Sequence, residues 1–159
     1  MIAWVRMPRV TEEGWIGMFC SPRVVDVENG HIFFRLHPNI RNAYSRAVRN
    51  VKDVSDDGYM ASFDLEDGEA ADIGGFIISR KGNRIVTDRS SVYPAFEGVH
   101  LISETPELKG GCHLDVLVDP HLIEVYINDG EYVISNVVYD LRDKIHCDKD
   151  KDILLYTTA

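Results

Sequence analysis

Several features that define whole classes of protein are missing from this sequence of 159 residues. No apolar run approaches the roughly 20 residues that a membrane-spanning helix needs. The N-terminus lacks the charged region, apolar core and small-residue cleavage site of a secretory signal. Lys and Arg form no cluster and the formal net charge is −9, which argues against nucleic acid or an anionic membrane as a partner. We therefore expect a cytoplasmic protein.

Cysteine is scarce, and no metal-binding pattern is present. Cys20, Cys112 and Cys147 lie far apart without a Cys-x-x-Cys pair, so we expect free, partly buried thiols rather than a disulfide framework or a zinc site. The acidic residues of 148–152 alternate like part of a calcium loop, but the Gly and Glu that complete an EF-hand are absent. The sequence predicts neither a metal nor a cofactor.

Helical periodicity is almost absent as well. The best candidate is 39–49, where Ile40, Tyr44 and Val48 fall on one face and Pro38 provides a start signal. A short helix or a helical turn is predicted there.

Most of the remaining sequence alternates between strand and turn patterns. The strands are short and are separated by Asn-Gly, Asp-Gly and Lys-Gly-Asn turns. They are too numerous for one open sheet, so the sequence predicts an all-β protein with two packed antiparallel sheets, a jelly-roll or lectin-like sandwich. The predicted strands are 23–27, 31–36, 59–65, 75–80, 84–88, 101–104, 112–119, 124–128, 132–139 and 153–156.

The segment 114–131 is the most informative part of the chain. Apolar residues recur at every second position in 114–118 and again in 123–127, which is typical of half-buried strands. Asn128-Asp129-Gly130 follows, and these residue types tolerate the positive φ of a hairpin turn. The segment predicts a three-stranded antiparallel meander ending in 132–135.

This meander resembles the end of the C-terminal sandwich of glycoside hydrolase family 32, which includes invertases, levanases, inulinases and sucrose-6-phosphate hydrolases. Two other segments resemble the same family in the same order: 15–23, Trp-Ile-Gly-Met-Phe-Cys-Ser-Pro-Arg, which is followed by Asn29-Gly30, and 87–90, Thr-Asp-Arg-Ser. The resemblance implies framework roles for Trp15, Gly17, Met18, Pro22, Arg23, Asp88, Arg89, Ser90, Asp119, Glu124, Asn128, Asp129 and Gly130.

The resemblance also implies a domain organisation. Residues 1–38 correspond to a remnant of the last propeller blade, 39–50 to a linker and 51–159 to the sandwich. The first unit holds two Trp and three Met residues, more apolar surface than an isolated hairpin can bury. A propeller-bearing polypeptide, the sandwich or a second copy of the chain must therefore cover it.

The catalytic motifs of the family are not found. Retaining glycosidases use two carboxyl groups about 5 to 5.5 Å apart, and in this family they lie in Trp-Met-Asn-Asp-Pro-Asn-Gly and Glu-Cys, with a stabiliser in Arg-Asp-Pro. Val118 precedes Asp119-Pro120, and Lys144 follows Arg142-Asp143. We predict no catalytic residue; a substitute pair of Asp119 and Glu124 is the less favoured reading, because an ordinary polar sheet face explains both.

The resemblance implies a structural role beside a propeller, and fructose-containing saccharides as ligands. The alternative is a self-contained, lectin-like carbohydrate-binding module. Sandwich modules bind sugars through exposed rings, and the candidates for sugar contact are Tyr93, Phe96, Tyr126 and Tyr132.

Overall fold

Antiparallel strands make up nearly all regular structure of the protein. The computed structural model describes residues 1–8, 10, 12, 14, 16–54, 58–94, 98–148 and 153–159. The N-terminal part contains two small sheets, in which β1 pairs with β2 and β3 with β4. Their bounds are Trp4–Arg6 for β1, Gly17–Phe19 for β2, Arg23–Glu28 for β3 and His31–Leu36 for β4.

A single α-helix follows the second hairpin. Helix α1 covers Pro38–Ala43, and the ring of His37 caps its N-terminus by accepting a hydrogen bond from the Asn39 amide. The predicted helix is thus present but shorter than 39–49, because β5 (Arg46–Val48) pairs with the last strand of the chain instead. No helix within the described ranges has the length and apolar character needed to cross a membrane.

The rest of the chain forms two sheets. The six-stranded sheet has the order β13-β12-β11-β6-β15-β5, and the five-stranded sheet the order β10-β9-β8-β7-β14. The additional bounds are Tyr59–Asp64 (β6), Ala70–Ile73 (β7), Phe76–Lys81 (β8), Arg84–Asp88 (β9), Ile102–Glu104 (β10), His113–Asp119 (β11), Leu122–Ile127 (β12), Tyr132–Val137 (β13), Ile145–Cys147 (β14) and Leu154–Thr157 (β15).

The predicted all-β sandwich and its meander are confirmed. Strand β12 pairs with β11 on one side and β13 on the other, and the turn residues Asn128, Asp129 and Gly130 all have positive φ. The strands that the sequence pattern missed are β1, β2, β5, β7 and β14. These strands have only three or four residues, too few for alternation to show.

The core lies between the two sheets. Apolar residues of β11 and β12 meet those of the five-stranded sheet, and the fully buried members include Ile73, Phe76, Ile78, Ile85, Leu114, Val116, Ile123 and Val125. The three cysteines are free and buried.

The outer face of the six-stranded sheet is covered too. Leu117 and Tyr126 pack there with Leu36 of β4, and with the half-buried Ile40 and Tyr44 from the region of α1. All six residues of β12 are buried. The prediction of half-buried strands is therefore wrong for this part of the sheet, because the N-terminal hairpin and α1 exclude water from the second face.

The domain limits 1–38, 39–50 and 51–159 stay predictions. Both α1 and β5 fall largely within the predicted linker, and β5 forms the edge of the six-stranded sheet.

Candidate functional site

A buried ion pair joins the N-terminal hairpin to the outer face of the sandwich. Arg23 opens β3, and its Nη2 donates to Oε1 of Glu124 on β12 at 2.5 Å. The side chains of Arg23 and Glu124 are only 8% and 1% exposed. The same Nη2 donates to Ser135 Oγ at 2.6 Å, and Nε donates to the Tyr126 hydroxyl at 3.3 Å. We call Arg23, Glu124, Tyr126 and Ser135 the Arg23 cluster.

The second carboxylate oxygen of Glu124 is also used. Its Oε2 accepts a hydrogen bond from the Ser21 amide at 2.7 Å, so the chain just before β3 is held by the same side chain. Burial by itself lowers the Arg23 pKa, but the hydrogen bonds to Glu124 and Tyr126 outweigh it and hold this pKa above its ordinary value. Both members of the pair therefore stay charged, and each satisfies the other.

The Asn128-Asp129-Gly130 turn makes the second contact with the hairpin. The Phe34 amide donates to the Gly130 carbonyl at 2.8 Å, and Arg35 pairs with the Asp129 carboxylate. At Gly130 a side chain could not fit, because a Cβ there would lie 2.5 Å from the Phe34 carbonyl oxygen. The turn motif thus forms a docking face for β4 as well as a hairpin.

Helix α1 supplies a third contact. Nη2 of Arg41 donates to Asp115 Oδ2 at 2.6 Å, and the Asp115 side chain is 4% exposed. Arg35 and Arg41 were missed at the sequence level. The usable signal was their opposite charge to Asp129 and Asp115, but it carries no information about pairing without the fold.

The other predicted framework residues lie in local structural roles. Asp88 accepts the Ser90 amide at 2.8 Å, and Arg89 donates to the carbonyl oxygens of His100 and Val137 at 2.9 and 3.0 Å. A Cβ at Gly17 would meet the Trp4 ring at 2.2 Å. Trp15 lies outside the described residues; Met18 packs near the buried Met7, and the Pro22 carbonyl accepts from the His37 amide.

The candidates for sugar contact do not share one exposed face. Tyr126 is 1% exposed and lies in the Arg23 cluster, and Tyr93 is 7% exposed with the Arg89 guanidinium 4.0 Å from its ring centre. Tyr132 is half-buried and lines a cavity of about 250 Å³ with His31, whose ring is 5.4 Å away. Phe96 lies outside the described residues.

The three carboxylates considered for catalysis have separate environments. Glu124 belongs to the Arg23 cluster and Asp115 pairs with Arg41, whereas Asp119 lines a cavity at one end of the sandwich. Burial, and then the charge of Glu124, raises the Asp119 pKa from 3.8 to about 6. Among the residues that the structure describes, no group of three or more His, Cys, Asp or Glu side chains is placed to hold a metal ion.

Comparison with known proteins places this geometry in a family. The family model described as "Glycosyl hydrolases family 32 C terminal" matches residues 41–157, whereas curated protein sequences give no significant match. Two solved structures share the fold. The sucrose-6-phosphate hydrolase from Lactobacillus gasseri has a TM-score of 0.78 at 20% identity, and covers 99% of this chain with 38% of its own. A Bombyx mori family 32 β-fructofuranosidase in complex with sucrose has a TM-score of 0.70 at 14% identity, with 99% and 37% covered.

These comparisons also give the scale of the match. The chain spans less than two-fifths of the length of either solved structure. The family match covers most of the chain, from α1 to the last strand, and contains the whole sandwich. The chain therefore belongs to glycosyl hydrolase family 32, and its sandwich is the C-terminal domain of that family.

Proposed function

We propose that this chain serves as the C-terminal sandwich portion of a β-fructofuranosidase-type glycoside hydrolase, of the sucrose-6-phosphate hydrolase kind. Its role is structural, and the carboxylates that cleave the glycosidic bond belong to a propeller. The observation that carries the proposal is the Arg23 cluster, which fastens the β3–β4 hairpin to a family 32 sandwich through an ion pair buried on both sides.

The surface of the hairpins supports the same role. Large apolar side chains remain exposed there, among them Phe19 at 75%, Val27 at 64%, Trp4 at 54% and Ile32 at 50%. A contiguous apolar surface of this kind marks an interaction site. A propeller blade would cover these strands on the side that faces away from the sandwich.

The test is reconstitution of activity with a propeller. The part of the Lactobacillus gasseri hydrolase outside the matched 38% is produced as a separate polypeptide and mixed with this chain, and release of fructose from sucrose 6-phosphate is measured. We expect no release by this chain alone and binding between the two polypeptides. Fructose release by this chain alone that disappears in Glu124→Gln would instead show an active hydrolase and overturn the proposal.

Binding of fructose-containing saccharides is a second candidate function, and the cavity beside Tyr132 supports it. The cavity lies between β4 and β13 and combines ring faces with the polar groups of His31 and Glu104. Isothermal titration with sucrose, inulin and levan oligomers tests it. Heat with any of them that is lost in Tyr132→Ala favours a carbohydrate-binding module, and its absence leaves the structural role alone.

A further inference from the structure

A second cavity lies at the far end of the sandwich from the sequence motifs. It has a volume of about 320 Å³ and is formed where β6 begins, where β11 turns into β12, and where the chain leaves β13. Its walls include Val54, Tyr59, Asp119, His121, Tyr139 and Leu141. This volume is at the lower end of the range for small-molecule sites, so it suits a ligand of one ring.

The polar groups of the wall lack partners within the protein. No hydrogen bond from a described residue reaches the Asp119 carboxylate, although the side chain is half-buried. The Nδ1 atom of His121 is buried and has no hydrogen-bond partner among the described residues. Buried polar groups are almost always satisfied, and a half-buried carboxylate without a partner is costly. Two unmet acceptors at one cavity indicate a ligand that donates hydrogen bonds.

The donors nearby do not meet this need. The Arg142 guanidinium is directed toward the backbone, where Nε donates to the Gly74 carbonyl at 3.4 Å. Arg142 and Asp143 at the rim carry opposite charges, so the entrance gives no preference for an ion of either sign. The rings of His121 and Tyr139, whose centres are 5.9 Å apart, and Leu141 provide apolar surface.

We propose that this cavity binds a neutral polyol of monosaccharide size, with neighbouring hydroxyl groups donating to the Asp119 carboxylate and to the His121 ring. The sugar's C–H surface lies against the His121 and Tyr139 rings. The site differs from the cavity beside Tyr132, and it depends neither on the structural role proposed above nor on a catalytic reaction.

The test is a titration followed by amide chemical shifts. Isotopically labelled full-length chain is titrated with D-fructose, and separately with putrescine as a cationic probe. We expect saturable shifts with fructose at the amides of Gly58, Gly74 and His121. Asp119→Asn should weaken binding at least tenfold, since hydrogen bonds to a charged group are the strong ones. The exposed Asp140, which does not line the cavity, provides the matched control Asp140→Asn, which should bind as the wild type does.

Two further results decide the matter. His121→Phe keeps a ring beside Tyr139 but removes the nitrogen acceptors, so it should also weaken binding while thermal unfolding shows that the fold is intact. Fructose shifts that vanish in Tyr132→Ala and persist in Asp119→Asn would place the sugar elsewhere and overturn the proposal. Saturation by putrescine without any response to fructose, or no response to either, would overturn it as well.

Discussion

At the scale of single residues, two acidic side chains of one strand hairpin have opposite environments. Glu124 is enclosed but has Arg23, Ser135 and the Ser21 amide as partners. Asp119, five positions earlier, has no partner among the described residues and faces a cavity. Burial stabilises a charge only when hydrogen bonds and an opposite charge replace water, so the two residues contribute to stability with different signs.

The first prediction concerns the ion pair of the Arg23 cluster. Glu124→Gln should lower the free energy of unfolding by about 3–5 kcal/mol, because Arg23 would remain as a buried, unpaired charge. The control is Glu104→Gln, which breaks an ion pair to Arg84 between side chains that are 52% and 43% exposed and should cost less than about 1 kcal/mol. Urea unfolding measures both. Equal, small losses would show that the Arg23 cluster is not a stabilising contact.

The second prediction concerns the pH dependence due to Asp119. The folded state holds its proton up to pH about 6, against 3.8 without the fold, mainly through burial and then the charge of Glu124. Between these values the folded chain binds more protons than the unfolded chain, so the contribution of Asp119 to stability falls as the pH rises. Above pH 6 the full penalty of about 2–3 kcal/mol remains.

Asp119→Asn should therefore be more stable than the wild type above pH 6, with the difference shrinking toward pH 4. Thermal unfolding across this range measures it, and Asp140→Asn, an exposed site, supplies the baseline. The prediction fails if the variant has the same pH profile as the wild type.

At the scale of elements, the β3–β4 hairpin is held at its two ends by different contacts. Arg23 fastens the start of β3 to β12, and the turn at 128–130 fastens β4 through the Phe34 amide and Arg35. His31 at the start of β4 adds a hydrogen bond of 2.9 Å between its Nε2 and the Glu131 carbonyl. The hairpin thus covers the sheet as a fixed layer, which explains why Tyr126 and Glu124 are inaccessible.

The third prediction separates this docking from the turn itself. Gly130→Ala places a methyl group 2.5 Å from the Phe34 carbonyl oxygen, whereas Gly30→Ala meets nothing within 4 Å, and both glycines have positive φ. Strain in φ is common to both variants, so the additional loss in Gly130→Ala, about 1–3 kcal/mol, reports the contact with β4. Urea unfolding gives the loss.

Hydrogen exchange at the Phe34 amide, which donates to Gly130, locates it. This amide should exchange faster in Gly130→Ala and not in Gly30→Ala. Equal losses in the two variants with unchanged exchange at Phe34 would contradict the docking role of the turn.

At the scale of the whole molecule, one side is covered and another is left apolar. The sandwich buries its own core between two sheets and its outer face under the hairpin and α1. The hairpins themselves expose Trp4, Phe19, Val27 and Ile32 on the remaining side. The molecule therefore has a stable body and one surface suited to a large partner.

The fourth prediction tests that surface. The triple variant Phe19→Ser, Val27→Thr, Ile32→Thr should unfold close to the wild-type temperature, since all three side chains are at least 50% exposed and exposed substitutions have small effects. It should lose binding to the propeller polypeptide in analytical ultracentrifugation. The double variant Ile102→Thr, Leu154→Thr changes apolar residues that are 59% and 54% exposed on the sandwich and should keep binding. Equal binding by all three proteins would show that the hairpin surface is not the interface.

The sequence by itself determined the strands of the sandwich and their turns, because alternation and residues such as Asn128 and Gly130 act over a few positions. It also pointed to the family, through segments that keep their order along the chain. Only the tertiary structure decided which of the alternating polar residues are buried. Glu124 and Asp115 have the sequence pattern of a solvated face, yet both are enclosed by arginines at least 74 positions away in the chain. Contacts over such separations depend on how the hairpin and α1 fold back over the sheet, and no local pattern encodes that geometry.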